Sequence, residues 1–206
     1  MSQTKIKRGP SSATKSYLLA YNGGSAALWG YVLIRALRSL AQTGDLTQTF
    51  PNASKDLVWI QPLAVLEIFP CALWTVSSRL LLAVGILYCY PLKEATEHWA
   101  LSTMTIAWSI TEVIRYLFYA FNLVGTAPSF IIWCRYSLFY ILYPVGASSE
   151  MFVAYQALPH LKTANPAFYY TLVAILFYYP LGFYQLFTYM IKQRAKTLGG
   201  KSKKLE

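Results

Sequence analysis

Apolar residues run along this chain in blocks of membrane length. The first block covers Tyr17–Leu40, after a polar and basic start, and Arg35 and Arg38 end its apolar part. A helix that crosses a bilayer needs about 20 mostly apolar residues. Gly23, Gly24 and Gly30 within the block permit close helix approach in lipid. A polar loop, "AQTGDLTQTFPNASKD", follows. Residues 57–90 are then almost continuously apolar. As one straight helix they would extend roughly 50 Å, against a hydrocarbon core about 30 Å thick. They therefore predict two short spans, with Pro70 and Ser77–Ser78 as candidate breaks. Three more blocks, Trp99–Phe121, Phe130–Tyr155 and Phe168–Ile191, predict one span each. Turn residues in "PLKEATEH", "NLVGTAPS" and "LPHLKTANP" mark the loops between them.

Charge settles how the blocks are counted. Lys5, Lys7, Arg8 and Lys15 precede the first block, and Lys192, Arg194, Lys196, Lys201, Lys203 and Lys204 follow the last. Short basic tails flanking membrane mark the cytosolic side. Two cytosolic tails require an even number of crossings, so the expectation is an all-α, polytopic bundle of six transmembrane helices with residues 57–90 folded as a hairpin. Residues 1–16 are then a cytosolic tail, 17–191 the membrane domain and 192–206 a second cytosolic tail. The polar loop after the first block falls on the other side, and its sequon Asn52-Ala53-Ser54 stands close to the next span.

Composition agrees. Only 13% of the 206 residues are charged, against about 25% in a soluble domain. The net charge of +10 resides largely in the tails, which leaves no basic domain for nucleic acid. No cleavable signal peptide is expected at the start, because no apolar core with a small-residue cleavage site follows the basic segment. Cys71, Cys89 and Cys134 lie in or beside apolar blocks without metal-like spacing, so they read as buried thiols. His98 and His160 fall in predicted loops, far apart, and support neither a metal site nor a Ser–His–Asp arrangement. Neither cofactor nor metal is expected.

Ionisable residues inside a span are costly and mark function by default. They are Glu67, Arg79, Glu112, Arg115, Arg135 and Glu150. In a six-span topology Arg79, Arg115 and Arg135 sit toward the cytosolic ends of their helices. There they either snorkel to the interface or form a basic mouth that grips phosphate. Glu112 and Arg115 are three residues apart, on adjacent turns of one helix face. They are an ion pair or part of a site, and Tyr116 beside them could add a hydroxyl.

The stretch "WCRYSLFYILYPVGASSE" at 133–150 combines Arg135, Tyr143 and Glu150 in an apolar span. Seven residues turn a helix through nearly two circles, so Tyr143 and Glu150 share a face about 10 Å apart in rise. A kink at Pro144 would bring the groups closer. Such a pair suits acid–base chemistry in an apolar slot. The spacing fits a hydrogen bond tying helices together equally well.

That stretch closely resembles the signature of the very-long-chain 3-hydroxyacyl-CoA dehydratases, the protein tyrosine phosphatase-like family. "YLLAYN" at 17–22, "PLAVLEI" at 62–68, "SSRLLLAVGI" at 77–86 and "TEVIRYLFYAF" at 111–121 resemble further family blocks in the same order. The resemblance implies six helices in the endoplasmic reticulum membrane and the third step of fatty-acid elongation, removal of water from a (3R)-3-hydroxyacyl-CoA to give the trans-2-enoyl-CoA. It implies a catalytic pair at Tyr143 and Glu150, with Arg79, Glu112, Arg115, Tyr116, Arg135 and Gly146 as binding or supporting positions. Implied partners are the long-chain acyl-CoA substrate, membrane lipid, and the condensing enzyme, ketoacyl reductase and enoyl reductase of the same cycle. No Cys-(X)5-Arg loop supports phosphatase chemistry. The terminal "KKLE" resembles a dilysine retrieval signal. In one departure, Pro70 occupies the place where the family usually has histidine, and the connection to the "SR" block is shorter by on the order of ten residues. A catalytically impaired relative and a non-enzymatic scaffold of the elongation complex are the competing readings, and a transporter is weaker because no inverted repeat is visible.

Overall fold

The computed structural model describes residues 11–49, 54–62, 79–90, 92 and 96–202. All regular structure among them is helical: α1 (Ser12–Thr43), α2 (Leu46–Thr49), α3 (Ser54–Ile60), α4 (Leu81–Tyr88), α5 (Trp99–Val124), α6 (Ser129–Ser137), α7 (Phe139–Ala164) and α8 (Pro166–Ser202). The helix ends follow from local chemistry. Ser11 caps α1 by accepting from the Thr14 N–H at 3.2 Å. His98 does the same for α5 through Nδ1, which accepts from the Ala100 N–H at 3.2 Å. Gly44 and Gly125 end α1 and α5 at φ 65° and 87°, a left-handed conformation that costs glycine little. α4 is π-helical, and the Cys89 N–H reaches back five residues to the Val84 carbonyl.

Contacts order the helices. α1 lies against α5, where the Tyr21 ring meets Tyr116 edge-on at 6.0 Å. Beyond the other end of α1, the Leu46 carbonyl accepts from Ser102 Oγ near the start of α5 at 2.5 Å. α5 and α7 are antiparallel, joined at Thr103–Ser149 (2.8 Å) and Trp108–Glu150 (2.6 Å). α7 and α8 are also antiparallel, with Tyr179 beside Glu150 and Phe187 against Phe139. The start of α1, the turn after α5 and the end of α8 therefore gather at one end of the bundle. The core between these helices includes Trp29, Val32, Leu57, Ile86, Leu101, Met104, Trp108, Val153, Leu161 and Leu172.

Among the described residues, Pro166–Gly199 within α8 is long and apolar enough to cross a membrane. α6 and α7 meet that test only as a pair bent by 45°. Six spans are thus not evident from length and apolarity. α5 falls short because it is an interior helix that buries Ser102, Thr105, Ser109 and Glu112. Two of its buried hydroxyls pair within the helix, Thr105 to the Leu101 carbonyl and Ser109 to the Thr105 carbonyl, both at 2.7 Å. α8 is the opposite case, with Phe177, Leu181 and Tyr184 exposed.

Several expectations shift in detail. α7 does not end at Tyr155 but continues through Pro159 and His160 to Ala164, so "LPHLKTANP" is mostly helix and His160 is helical. The break comes at Asn165, because the residue before a proline is pushed out of the helical region. Asn165 Oδ1 then accepts from the Phe168 N–H at 3.1 Å and caps α8. α7 runs as one helix through Pro144, and a 45° bend comes earlier, at Leu138, between α6 and α7. There Arg194 donates to the Tyr136 carbonyl at 2.7 Å and to Ser137 Oγ at 2.5 Å, satisfying the end of α6 from outside. Glu67, Pro70, Cys71, Ser77–Ser78, Asn52, the shortened connection, Lys5, Lys7, Arg8 and the KKLE tail lie outside the described residues.

Candidate active site

Glu112 is the centre of a buried ion cluster in the middle of the bundle. Its Oε2 lies 2.7 Å from Arg115 Nη2, the pair that the i,i+3 spacing predicts. Its Oε1 accepts from Arg79 Nη1, which arrives from just before α4. Glu112 is 1% exposed, and a buried carboxylate is tolerated only when it is paired in this way. Arg115 also donates to the Tyr116 hydroxyl at 3.0 Å and lies over that ring at 4.8 Å. Tyr116 thus forms a wall that supports Arg115.

Glu150 occupies a second, adjoining polar spot. It is 6% exposed. Its Oε1 accepts from Trp108 Nε1 at 2.6 Å, and its Oε2 accepts from the Tyr179 hydroxyl at 2.5 Å. The Arg79 guanidinium lies over the Trp108 ring at 4.8 Å. One continuous chain of contacts therefore runs Arg115–Glu112–Arg79–Trp108–Glu150–Tyr179 across α5, α7, α8 and the segment before α4. Neither Trp108 nor Tyr179 stands out in the sequence, since both are neutral aromatics among many. The only signal was chemical: a buried carboxylate needs donors, and aromatic N–H and O–H groups are what apolar spans can offer.

Tyr143 faces a different space. A cavity of about 50 Å³ is lined by Tyr143, Arg115, Arg135, Thr111, Cys134 and Met190, among others. Among the described residues, no protein group hydrogen-bonds the Tyr143 hydroxyl. Arg135 sits among Phe118, Tyr119 and Tyr136 and donates to the Tyr119 hydroxyl at 3.2 Å. Of the three arginines expected to share a mouth, Arg115 and Arg135 line this cavity, and Arg79 turns inward to Glu112 and Trp108.

Gly146 lies between Tyr143 and Glu150 on α7, three residues from one and four from the other, so the three share a face. A Cβ there would meet Ala107 and Trp108 at 3.8 Å, ordinary contact, so glycine is not forced by crowding. Gly146 is buried there against α5. The helix-tying bond that the Tyr143/Glu150 spacing allowed is made by other residues: Glu150 is tied to α5 and α8 through Trp108 and Tyr179. Chemically, the arrangement offers a fixed carboxylate, a phenol on the same helix face that has no hydrogen-bond partner among the described residues, and two guanidinium groups beside the phenol.

Comparison with known proteins places the chain. The family model described as protein tyrosine phosphatase-like protein, PTPLA, matches residues 61–200. A probable very-long-chain (3R)-3-hydroxyacyl-CoA dehydratase of Schizosaccharomyces pombe is 38% identical, over 87% of this chain and 91% of its own length. The Arabidopsis thaliana very-long-chain (3R)-3-hydroxyacyl-CoA dehydratase PASTICCINO 2 is 37% identical, over 91% of this chain and 95% of its own. Very-long-chain (3R)-3-hydroxyacyl-CoA dehydratase 2 of Mus musculus is 34% identical, over 93% and 84%. No solved structure matches. With the family model covering most of the chain and relatives aligned nearly end to end, this chain belongs to the protein tyrosine phosphatase-like family, that of the very-long-chain (3R)-3-hydroxyacyl-CoA dehydratases.

Proposed function

We propose that this protein is a hydro-lyase that converts (3R)-3-hydroxyacyl-CoA to trans-2-enoyl-CoA, the third step of very-long-chain fatty-acid elongation. The observation that carries this reading is a donor-held carboxylate, Glu150, seven residues along α7 from Tyr143, whose hydroxyl has no hydrogen-bond partner among the described residues and lines a cavity with Arg115 and Arg135.

Dehydration breaks the C2–H and C3–O bonds and forms the C2–C3 double bond. Glu150 takes the C2 proton. Tyr143 gives its phenolic proton to the departing hydroxyl, which leaves as water. The Glu150 proton must then return to Tyr143 before the next turnover. Glu150 accepts one hydrogen bond at each oxygen, from Trp108 and from Tyr179, an arrangement that an ionised carboxylate satisfies fully and that suits the base. Arg115 and Arg135 offset the negative charge left on the phenol oxygen. Positioned acid–base groups typically contribute about 100- to 10,000-fold each. Arg115 and Arg135 also serve the phosphates of CoA at the mouth, and the acyl chain lies among apolar helices.

The membrane reading is six spans in the endoplasmic reticulum with both tails cytosolic. It is supported by the gathering of the start of α1 and the end of α8 at one end of the bundle and by the basic tails. The condensing enzyme and the two reductases of the cycle are the expected neighbours in that membrane. The test is direct: purified protein in detergent is given (3R)-3-hydroxyacyl-CoA and enoyl-CoA is measured. Formation of enoyl-CoA supports the reading. No turnover by folded protein would refute it and leave a scaffold.

A further inference from the structure

We propose that Trp108 and Tyr179 are positioning residues: together they fix the carboxylate of Glu150 in the orientation in which it takes the substrate proton. This rests on the dehydratase reading above and goes beyond it to two residues outside the Tyr143/Glu150 pair.

The geometry carries the inference. A glutamate carboxylate turns about a soft terminal torsion with broad minima, so burial alone does not orient it. Here each oxygen accepts one hydrogen bond, from Trp108 Nε1 at 2.6 Å and from the Tyr179 hydroxyl at 2.5 Å. The donors come from different helices, α5 and α8, and hold α7's carboxylate between them. Rotation of the carboxylate breaks both bonds at once. An ionised carboxylate has about four acceptor positions, so each oxygen keeps one lone pair for substrate.

The clamp is itself held. Trp108 is 3% exposed. The Arg79 guanidinium lies over its ring, and its indole faces Gly146, where an added Cβ would come within 3.8 Å of Cδ1 and 3.9 Å of Nε1. Arg79 is anchored in turn by Glu112. The Trp108 N–H is therefore aimed by a rigid assembly, the condition under which a donor can orient a reacting group instead of following it. The Tyr179 bond completes the arrangement from the lipid-facing helix. It ties the orientation of the base to the seating of α8.

A bond that merely ties helices together predicts lost protein, whereas a positioning bond predicts a slower proton abstraction in protein that remains folded. The experiment uses the full-length protein in detergent, with (3R)-3-hydroxyacyl-CoA carrying either hydrogen or deuterium at C2. Wild type, Tyr179→Phe and Trp108→Phe are compared. Each variant is expected to lose about 10- to 100-fold in kcat, the worth of one hydrogen bond to a charged group. KM is expected to stay within about twofold. The primary isotope effect on kcat/KM should rise in both variants, because C2–H cleavage becomes more rate-limiting. Unchanged isotope effects, with activity falling only in proportion to folded protein, would overturn the proposal. So would failure of both variants to accumulate as folded protein, which would make the two bonds a structural tie. Turnover is read on wild type first, so a failure of the dehydratase reading shows there, before any variant is compared.

Discussion

Trp108 donates its indole N–H to Glu150 at 2.6 Å while carrying the Arg79 guanidinium on its ring face. One side chain thereby links the ion cluster around Glu112 to the carboxylate proposed to do the chemistry. The link explains why a site built around a single carboxylate needs a second carboxylate and two arginines behind it. Glu112 neutralises and places Arg79, Arg79 seats Trp108, and Trp108 holds Glu150.

The pair itself gives the first prediction. Tyr143→Phe and Glu150→Gln should each abolish most turnover in protein that stays folded and membrane-inserted. The double variant should be little worse than the poorer single, because groups acting in one step are strongly non-additive. Steady-state kinetics alongside thermal unfolding in detergent check this. Robust activity in either well-folded single variant would remove the pair from the mechanism.

Glu112 belongs to the cluster behind the site, and its loss should act on stability. Glu112→Gln leaves Arg79 and Arg115 facing each other without their shared anion. Breaking a buried pair in this manner typically costs about 3–5 kcal/mol. Melting temperature should fall sharply. A variant as stable as wild type would show that water or lipid phosphate reaches these arginines.

Arg135 lines the cavity beside Tyr143, and its guanidinium donates to the Tyr119 hydroxyl and packs on aromatic rings. Arg135→Ala should weaken the use of CoA thioesters more than that of pantetheine thioesters, which lack the nucleotide phosphates. Measuring kcat/KM for both decides the matter. Equal losses would confine Arg135 to packing among Phe118, Tyr119 and Tyr136.

Gly85 sits in a crowded position on α4. A Cβ there would stand 2.8 Å from Phe168 Cζ, and Phe168 is stacked on Tyr90. Gly85→Ala should therefore destabilise by about 1–3 kcal/mol, the usual cost of overpacking. Phe168→Leu in the same protein should recover part of the loss. Thermal unfolding of the two singles and the double supplies the comparison, and additive losses would mean that the ring does not meet the new methyl group.

Much of this molecule was legible in its sequence because the governing contacts are local. Hydropathy predicted one span each over Trp99–Phe121 and Phe168–Ile191; α5 and α8 contain those residues as helices, and of the two α8 is long and apolar enough to cross a membrane. The i,i+3 spacing of Glu112 and Arg115 placed them on one face, as an ion pair or part of a site, and they are ion-paired. The common face of Tyr143 and Glu150 follows from helical periodicity alone. What the tertiary structure decided are the partners that come from other helices. Arg79 reaches Glu112 from 33 residues away, and Tyr179 reaches Glu150 from 29. Periodicity shows which residues share a face but not which foreign face lies against it. The bend at Leu138 belongs to the same class: Pro144 marks a weakness within α7, yet the chain breaks where Arg194 of α8 takes over the Tyr136 carbonyl. A helix terminates where its backbone groups find better partners, and here those partners become available only once the bundle has assembled.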